Sequence, residues 1–418
     1  MPLGLYVSVP FCRTKCSYCN FASEVFSRSV FQRYVDHVCS AIARANETAE
    51  QMGGRFDPVV DSVYLGGGTP TMLDVSQLQQ LFVTISQNFK VLPGAEITVE
   101  CAPGTLSSET IETLCAYGVN RVSLGVQSFV DAEAASVGRL HKRATVANDI
   151  AHLRSAGISN INIDLMAGLP HQTYESWHMS LREAIAFGVP HVSLYMLEVD
   201  EDSRLGRELI AGGAKYHAHF VPDDDLTADL YVQASDRLES ASIRQYEISN
   251  FARHGFESRH NLKYWTRQPY FGFGVDAHSM LQASRWARAD WERDSFNHPE
   301  SAQDRESRRF AGAVRFSTAD SLEGYLGNQP LRRTEVSEQA ALEEAFFLGL
   351  RLTEGLNLRE VNMEFGQEAL LELQETITEL VQAGMLLLEK EEVRLTPRGR
   401  LLSNEVFERF IHVGHGAI

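Results

Sequence analysis

The chain has 418 residues, of which 44% are hydrophobic and 22% charged, and its formal net charge is −17. That is the composition of a folded globular protein, and the acidic balance opposes non-specific binding to nucleic acid or to an anionic lipid surface. No apolar run approaches the roughly 18 residues that a membrane span requires. The N-terminus enters "LGLYVSV" with neither a basic stretch nor a signal-peptide core, so a cytoplasmic protein is expected.

The chain opens on a β-branched run, "LYVSV" (5–9). Five more follow: "VVDSVYL" (59–65), "EITVE" (96–100), "RVSLGVQ" (121–127), "NINIDL" (160–165) and "HVSLYML" (191–197). Between them lie stretches such as "VSQLQQLFVTIS" and "SSETIETLCAYG", whose apolar residues recur at helical intervals. Asp74, Ser107 and Ser108 are expected N-caps, and Gly118, Gly157 and Gly188 expected helix stops. Successive β-then-α units imply parallel strands joined by right-handed crossovers.

A doubly wound sheet and a barrel both satisfy that pattern. Cys12, Gly66–Thr69, Glu100, Gln127, Asp164 and Glu198 fall at or just past the strand ends. In an open sheet the site gathers at one switch point. In a (β/α) barrel every strand contributes at the C-terminal face. The expected fold is therefore α/β, a partial (β/α)6 TIM-like barrel over residues 1–225. A mixed region follows over 226–334. The pattern of 335–418, helices followed by "LLLE" and "VRLT" around "KEE", suggests a winged-helix-like α+β domain. Its many acidic residues argue against DNA binding.

Cys12, Cys16 and Cys19 form C-x3-C-x2-C directly after the first strand, where Pro10 breaks the chain. The chain's other cysteines, Cys39, Cys101 and Cys115, are scattered in apolar segments and read as core residues. Zinc usually takes four ligands, and no histidine lies in the loop. A [4Fe–4S] cube normally takes one thiolate per iron, so three thiolates leave one iron open to a small chelating ligand. The amino and carboxylate groups of S-adenosylmethionine (SAM) suit that position. Zinc remains the alternative on spacing alone. The "GGGTPT" segment (66–71) is neither a P-loop nor G-x-G-x-x-G, but its glycines permit close approach to a ligand.

The cysteine loop, with Tyr18 just before its last cysteine, resembles the radical SAM signature. Together with "YLGGGTPT", "SLGVQSF", "VGRLHKR" and "NIDLMAGLP", it is similar to the oxygen-independent coproporphyrinogen III oxidase family and its relatives. The resemblance implies that Cys12, Cys16 and Cys19 hold the cluster, that Tyr6, Gly67 and Glu100 contact the SAM bound to it, and that Tyr18 is a further cofactor-binding residue. It places Gly68, Thr69, Gln127, Arg139 and Asp164 at a second SAM in the oxidase.

The sequence departs from the oxidase pattern at three points. Phe21 stands where the oxidase has a fourth cysteine, the first strand starts at Leu5 where the oxidase carries an extension ahead of it, and Ser8 replaces a histidine. The first two departures resemble the heme chaperone branch of the family. That branch implies heme as a ligand, apo-haemoproteins as recipients and an electron donor as a further partner. "HNLKYW" (260–265) resembles that branch's HNxxYW motif and makes His260, Tyr264 and Trp265 expected heme contacts. Oxidative decarboxylation of a porphyrinogen is the alternative function.

Overall fold

The computed structural model describes residues 1–284 and 312–411. Six parallel strands lead the chain: β1 (Leu3–Val9), β2 (Val59–Gly67), β3 (Lys90–Cys101), β4 (Arg121–Gln127), β5 (Asn160–Ala167) and β6 (His191–Met196). Helices α1 (Phe31–Ala43), α2 (Val75–Asn88), α3 (Ser108–Ala116), α4 (Arg143–Ser155) and α5 (Tyr174–Ala186) alternate with them. The expected caps form. Asp74 and Gln77 close a reciprocal capping box at α2, and the Ser107 hydroxyl accepts from the Thr110 amide at α3. Ser108 is the first helical residue instead. Gly118, Gly157 and Gly188 follow α3, α4 and α5 in the left-handed region, at φ +76°, +93° and +61°.

The six strands lie side by side in chain order. A doubly wound sheet would reverse that order at a switch point, and there is none. The wall is a partial barrel. Helix α6 (Asp224–Ser240) packs on β5 and β6. Beyond it, β7 (Arg244–Glu247) and β8 (Asn250–Ala252) extend the β6 edge antiparallel. Helix α7 (Arg259–Trp265) precedes β9 (Tyr270–Phe273), which joins the β1 edge in parallel. β10 (His278–Ala283), β11 (Ala313–Ser317) and β12 (Arg332–Val336) continue outward from it. The two ends of the sheet, β12 and β7, do not pair among the described residues, so the barrel stays open.

Strand alternation sorts the side chains into two faces. Val7, Val9, Val63, Leu65, Val99, Val122, Leu124, Ile161, Ile163 and Val192 face the helices in one large core. Tyr231, Phe251, Phe271 and Val314, from the region after the six units, belong to the same core. Cys101 is part of it, and the half-buried Cys39 and Cys115 pack against it. The inward face is polar. Asn162 Nδ2 donates to Ser123 Oγ at 2.7 Å, to Asp164 Oδ1 at 2.7 Å and to Ser193 Oγ at 2.9 Å. His191 joins Asn162 Oδ1 at 2.6 Å and Tyr246 OH at 2.9 Å. The usual filling of such a barrel is bulky and branched. This one is lined for hydrogen bonding.

The C-terminal region has its own core, built on Leu342, Phe346, Leu373, Leu380, Val393 and Phe410. Helices Glu338–Gly349, Leu358–Phe365 and Gln367–Gln382 pack with a three-stranded sheet of Leu356–Asn357, Glu392–Leu395 and Leu386–Glu389. This is the helix-then-hairpin arrangement expected of a winged-helix-like domain. It docks on the β7–β8 edge through Ile248 N to Arg351 O at 3.1 Å and Thr353 N to Tyr246 O at 3.0 Å. The ion pairs Arg267–Glu364 and Arg315–Glu344 also hold it.

Candidate functional site

The cysteine loop is held at many points. Cys12 N donates to Glu24 O at 3.0 Å, Ser17 N to Val137 O at 3.1 Å, and Leu205 N to Ser17 O at 2.8 Å. Lys15 Nζ reaches back to the carbonyls of Phe21 and Ser23 at 2.7 and 2.6 Å. Cys12, Cys16 and Cys19 are free thiols, each partly exposed. All three line a cavity of about 1190 Å³ at the C-terminal ends of the strands. Burial pushes the Cys12 thiol up. Phe21, at the position of the missing fourth thiol, is 67% exposed on the rim of the same cavity.

The glycine loop closes over the end of β1. Gly68 N donates to Val9 O at 2.9 Å and Thr69 N to Phe11 O at 2.8 Å. A Cβ on Gly68 would stand 2.7 Å from Val9 O, so this glycine is required by strand-to-strand approach. Gly67, at φ +97°, donates its N–H to Glu100 Oε2 at 3.1 Å. Tyr64 OH donates to the other carboxylate oxygen at 2.8 Å. Burial pushes the Glu100 carboxyl up to about 7, against that Tyr64 hydrogen bond. Tyr6 lies one pocket away, in a recess of about 260 Å³ that shares Gly67, Glu100 and Phe21 with the main cavity.

Gln127 lies in the left-handed region at φ 67°, at a bulge in the β4–β5 register. Its Oε1 is buried without a partner, as is Nε of Arg139. Arg139 Nη2 donates to Tyr18 OH at 3.0 Å, tying the cysteine loop to the second half of the site. Asp164, raised by burial, receives Ser123 and Asn162. Orphaned polar atoms beside a cavity are what a polar ligand would satisfy. The three thiols, Tyr18, Gly67, Gly68, Thr69, Glu100, Gln127, Arg139 and Asp164 thus share one mouth.

The HNLKYW segment is elsewhere. It forms α7, whose first N–H groups end on a buried carboxylate. Glu96 accepts from His260 N at 3.0 Å, Arg259 N at 3.1 Å and Ser258 Oγ at 3.4 Å. Glu96 lies toward the start of the inward face of β3, so α7 stoppers the foot of the barrel. His260 is 1% exposed. Its Nδ1 pairs with Ser62 Oγ at 3.0 Å and its Nε2 with Tyr264 OH at 2.9 Å. Burial, with Lys263 beside it, pushes the imidazole down to about 3. An iron ligand needs a free ring nitrogen, and in this arrangement neither is free. Trp265 lies under the Arg351 guanidinium, 4.3 Å from its ring centroid.

Sequence reasoning missed two arginines. Arg351 and Arg400, from the C-terminal region, line the same cavity, together with Leu401 to Glu405. No local pattern marks them, because only tertiary docking brings them to the mouth.

Residues 6–184 match the radical SAM superfamily, and residues 336–402 match the HemN C-terminal domain. Over 409 residues the chain is 32% identical to the heme chaperone HemW of Bacillus subtilis, covering 97% of this chain and 98% of that one. The chain belongs to the heme chaperone HemW family. The Escherichia coli HemW is 34% identical over 67% of this chain and 70% of its own. The solved structure of coproporphyrinogen III oxidase (HemN) from Escherichia coli matches with a TM-score of 0.77 at 22% identity, covering 98% of this chain and 90% of that one. That match is a likeness of fold, and it agrees with the barrel-plus-tail architecture. Radical SAM membership implies a [4Fe–4S] cluster and SAM. Among the described residues no helix is long and apolar enough to cross a membrane.

Proposed function

We propose that this protein binds heme in the mouth cavity and delivers it to apo-haemoproteins, with a SAM-coordinating [4Fe–4S] cluster on Cys12, Cys16 and Cys19. The observation that carries the reading is the end-to-end likeness to proteins named heme chaperones, which spans both barrel and tail. The mouth supports it. Phe21 sits at its rim in place of a fourth thiol, and Met166, Leu194, Met196 and Leu197 give the cavity an apolar side, which suits a macrocycle.

When bound, the cluster supplies low-potential electrons to the SAM sulfonium. The chain's own groups do the holding. Glu100, fixed by Tyr64 and the Gly67 amide, offers a carboxylate to the SAM amino group. Tyr6 and Thr69 flank it, and Gly68 lets the loop close. Gln127 and Arg139 present the unsatisfied acceptor and donor of a further polar subsite, with Asp164 beside them. Heme recipients and an electron donor are the partners, and the site of action is the cytoplasm.

The test is a titration of oxygen-free, reconstituted protein with heme, followed by mixing with an apo-haemoprotein. Heme uptake at micromolar concentration and its transfer support the reading. No uptake at that level ends it. Formation of protoporphyrinogen from coproporphyrinogen III, with release of 5′-deoxyadenosine, would instead make the protein an oxidase.

A further inference from the structure

Arg400 lines the mouth cavity from the tail side and is only partly exposed. Among the described residues its guanidinium makes no ion pair, and donates only to Leu395 O at 3.4 Å. In a chain of net charge −17, carboxylates are plentiful, yet none meets this cation. Among the described residues Glu239 acts on it electrostatically without forming an ion pair. A half-buried guanidinium facing a cavity without a counter-ion pays desolvation that a bound anion would recover.

Arg351 stands nearby. Its Nε is buried without a partner, and its other side faces Glu247 at 3.7 Å and the Trp265 ring at 4.3 Å. Both guanidinium groups bear on Tyr231. That phenol is fixed by donation to Ile248 O at 2.5 Å and acceptance from Gln245 Nε2 at 2.6 Å. Two planar forks beside one cavity match a ligand with two carboxylates, since each fork accepts a carboxylate in bidentate fashion. Heme carries two propionates, whereas SAM carries one carboxylate.

We propose that Arg351 and Arg400 form the propionate-binding end of the heme site, at the seam between barrel and tail, with Trp265 as the residue that positions Arg351. The proposal rests on the heme reading above. It gives the HNLKYW helix a route to the ligand that needs no ligation by His260. Trp265 is separated from the cavity by one side chain, and that side chain is a cation.

The test compares heme with its dimethyl ester, which keeps the macrocycle and iron but loses both charges. Full-length, oxygen-free protein is titrated with each and followed by Soret absorbance. Wild type binds heme about a hundredfold tighter than the ester, the size of two charge-assisted contacts. Arg400→Gln lowers heme affinity by about tenfold and leaves ester affinity unchanged, so the discrimination falls to the share that Arg351 carries. Trp265→Leu shrinks the discrimination and Trp265→Phe, which keeps a ring face, restores most of it. Should Trp265→Leu fail to fold, Arg351→Lys carries the same test, because it keeps charge and loses the fork. Equal affinity of wild type for heme and ester overturns the proposal and leaves the heme reading intact, as does discrimination that Arg400→Gln leaves undiminished. Binding of neither ligand removes the heme reading itself, and this proposal with it.

Discussion

The two ends of the half-barrel use the same kinds of side chain to opposite purposes. At the foot, Glu96 is filled by α7 amides and His260 has both nitrogens engaged. Lys263 Nζ meets Asp61 at 2.8 Å and the Pro2 carbonyl at 3.0 Å. At the mouth, Gln127 and Arg139 keep buried atoms without partners, and three thiols face open space. A buried polar group satisfied by its own chain is architecture, and one left waiting beside a cavity is a binding contact. Residue type does not separate the two cases, whereas hydrogen-bond accounting does.

That contrast can be broken most directly at the thiols. Replacing any one of Cys12, Cys16 or Cys19 with Ala should abolish cluster assembly, read as iron and sulfide per chain and as loss of a SAM-sensitive EPR signal. The melting temperature of the metal-free protein should move little, since the three side chains are only partly buried. Survival of a full cluster in any of the three variants would remove the site.

Glu96→Ala should do the reverse. It strips a buried acceptor from two backbone amides and should cost about 3 kcal/mol or more of stability in urea unfolding. Iron content in the folded fraction should not change. A neutral effect on stability would mean that α7 is not the stopper described here.

The two ends should also respond oppositely to pH. His260 titrates at about 3 in the folded chain. Between there and its ordinary value of 6.5 the unfolded chain takes up a proton that the folded one refuses. Its contribution is therefore full above pH 6.5 and falls as the solution is acidified, by up to about 1.4 kcal/mol per pH unit. His260→Gln should flatten that limb of the stability curve, and an unchanged slope would count against the buried placement. Glu100 is the mirror case over a narrower window. With its folded value at about 7, the folded chain keeps a proton that the unfolded one has released above pH 4.5. Acid favours folding there, and stability declines as pH rises through the window at up to about 1.4 kcal/mol per unit. In metal-free protein Glu100→Gln should remove that decline, and a slope identical to wild type would refute it.

Much of this was legible in the sequence. Period-two runs and helical spacing located the six strands, and the cysteine loop after the first of them announced the mouth. β3 was longer than its apolar run suggested, because Pro93 and Gly94 interrupt the alternation near its start. Gly68 illustrates a subtler limit. A glycine that looks made for a ligand is demanded by the Val9 carbonyl 2.7 Å from where its Cβ would be. The HNLKYW segment shows the limit of local reading most clearly. Its residues are chemically suited to a porphyrin, but which end of a barrel a helix closes depends on β9 pairing with β1, more than 250 residues away in sequence. Arg351 and Arg400 were illegible for the same reason, since nothing near them in sequence distinguishes a cavity-facing arginine from a solvated one.

The tail domain contributes a flank of the cavity while keeping a hydrophobic interior of its own. Ile248 from the β7–β8 turn reaches into that interior, and Leu401 of the tail packs against the barrel core, so the two are joined by apolar as well as polar contacts. The axis of the half-barrel is corked below by α7. On the tail side the cavity is walled by the seam itself, where Arg351 and Arg400 to Glu405 of the tail line it.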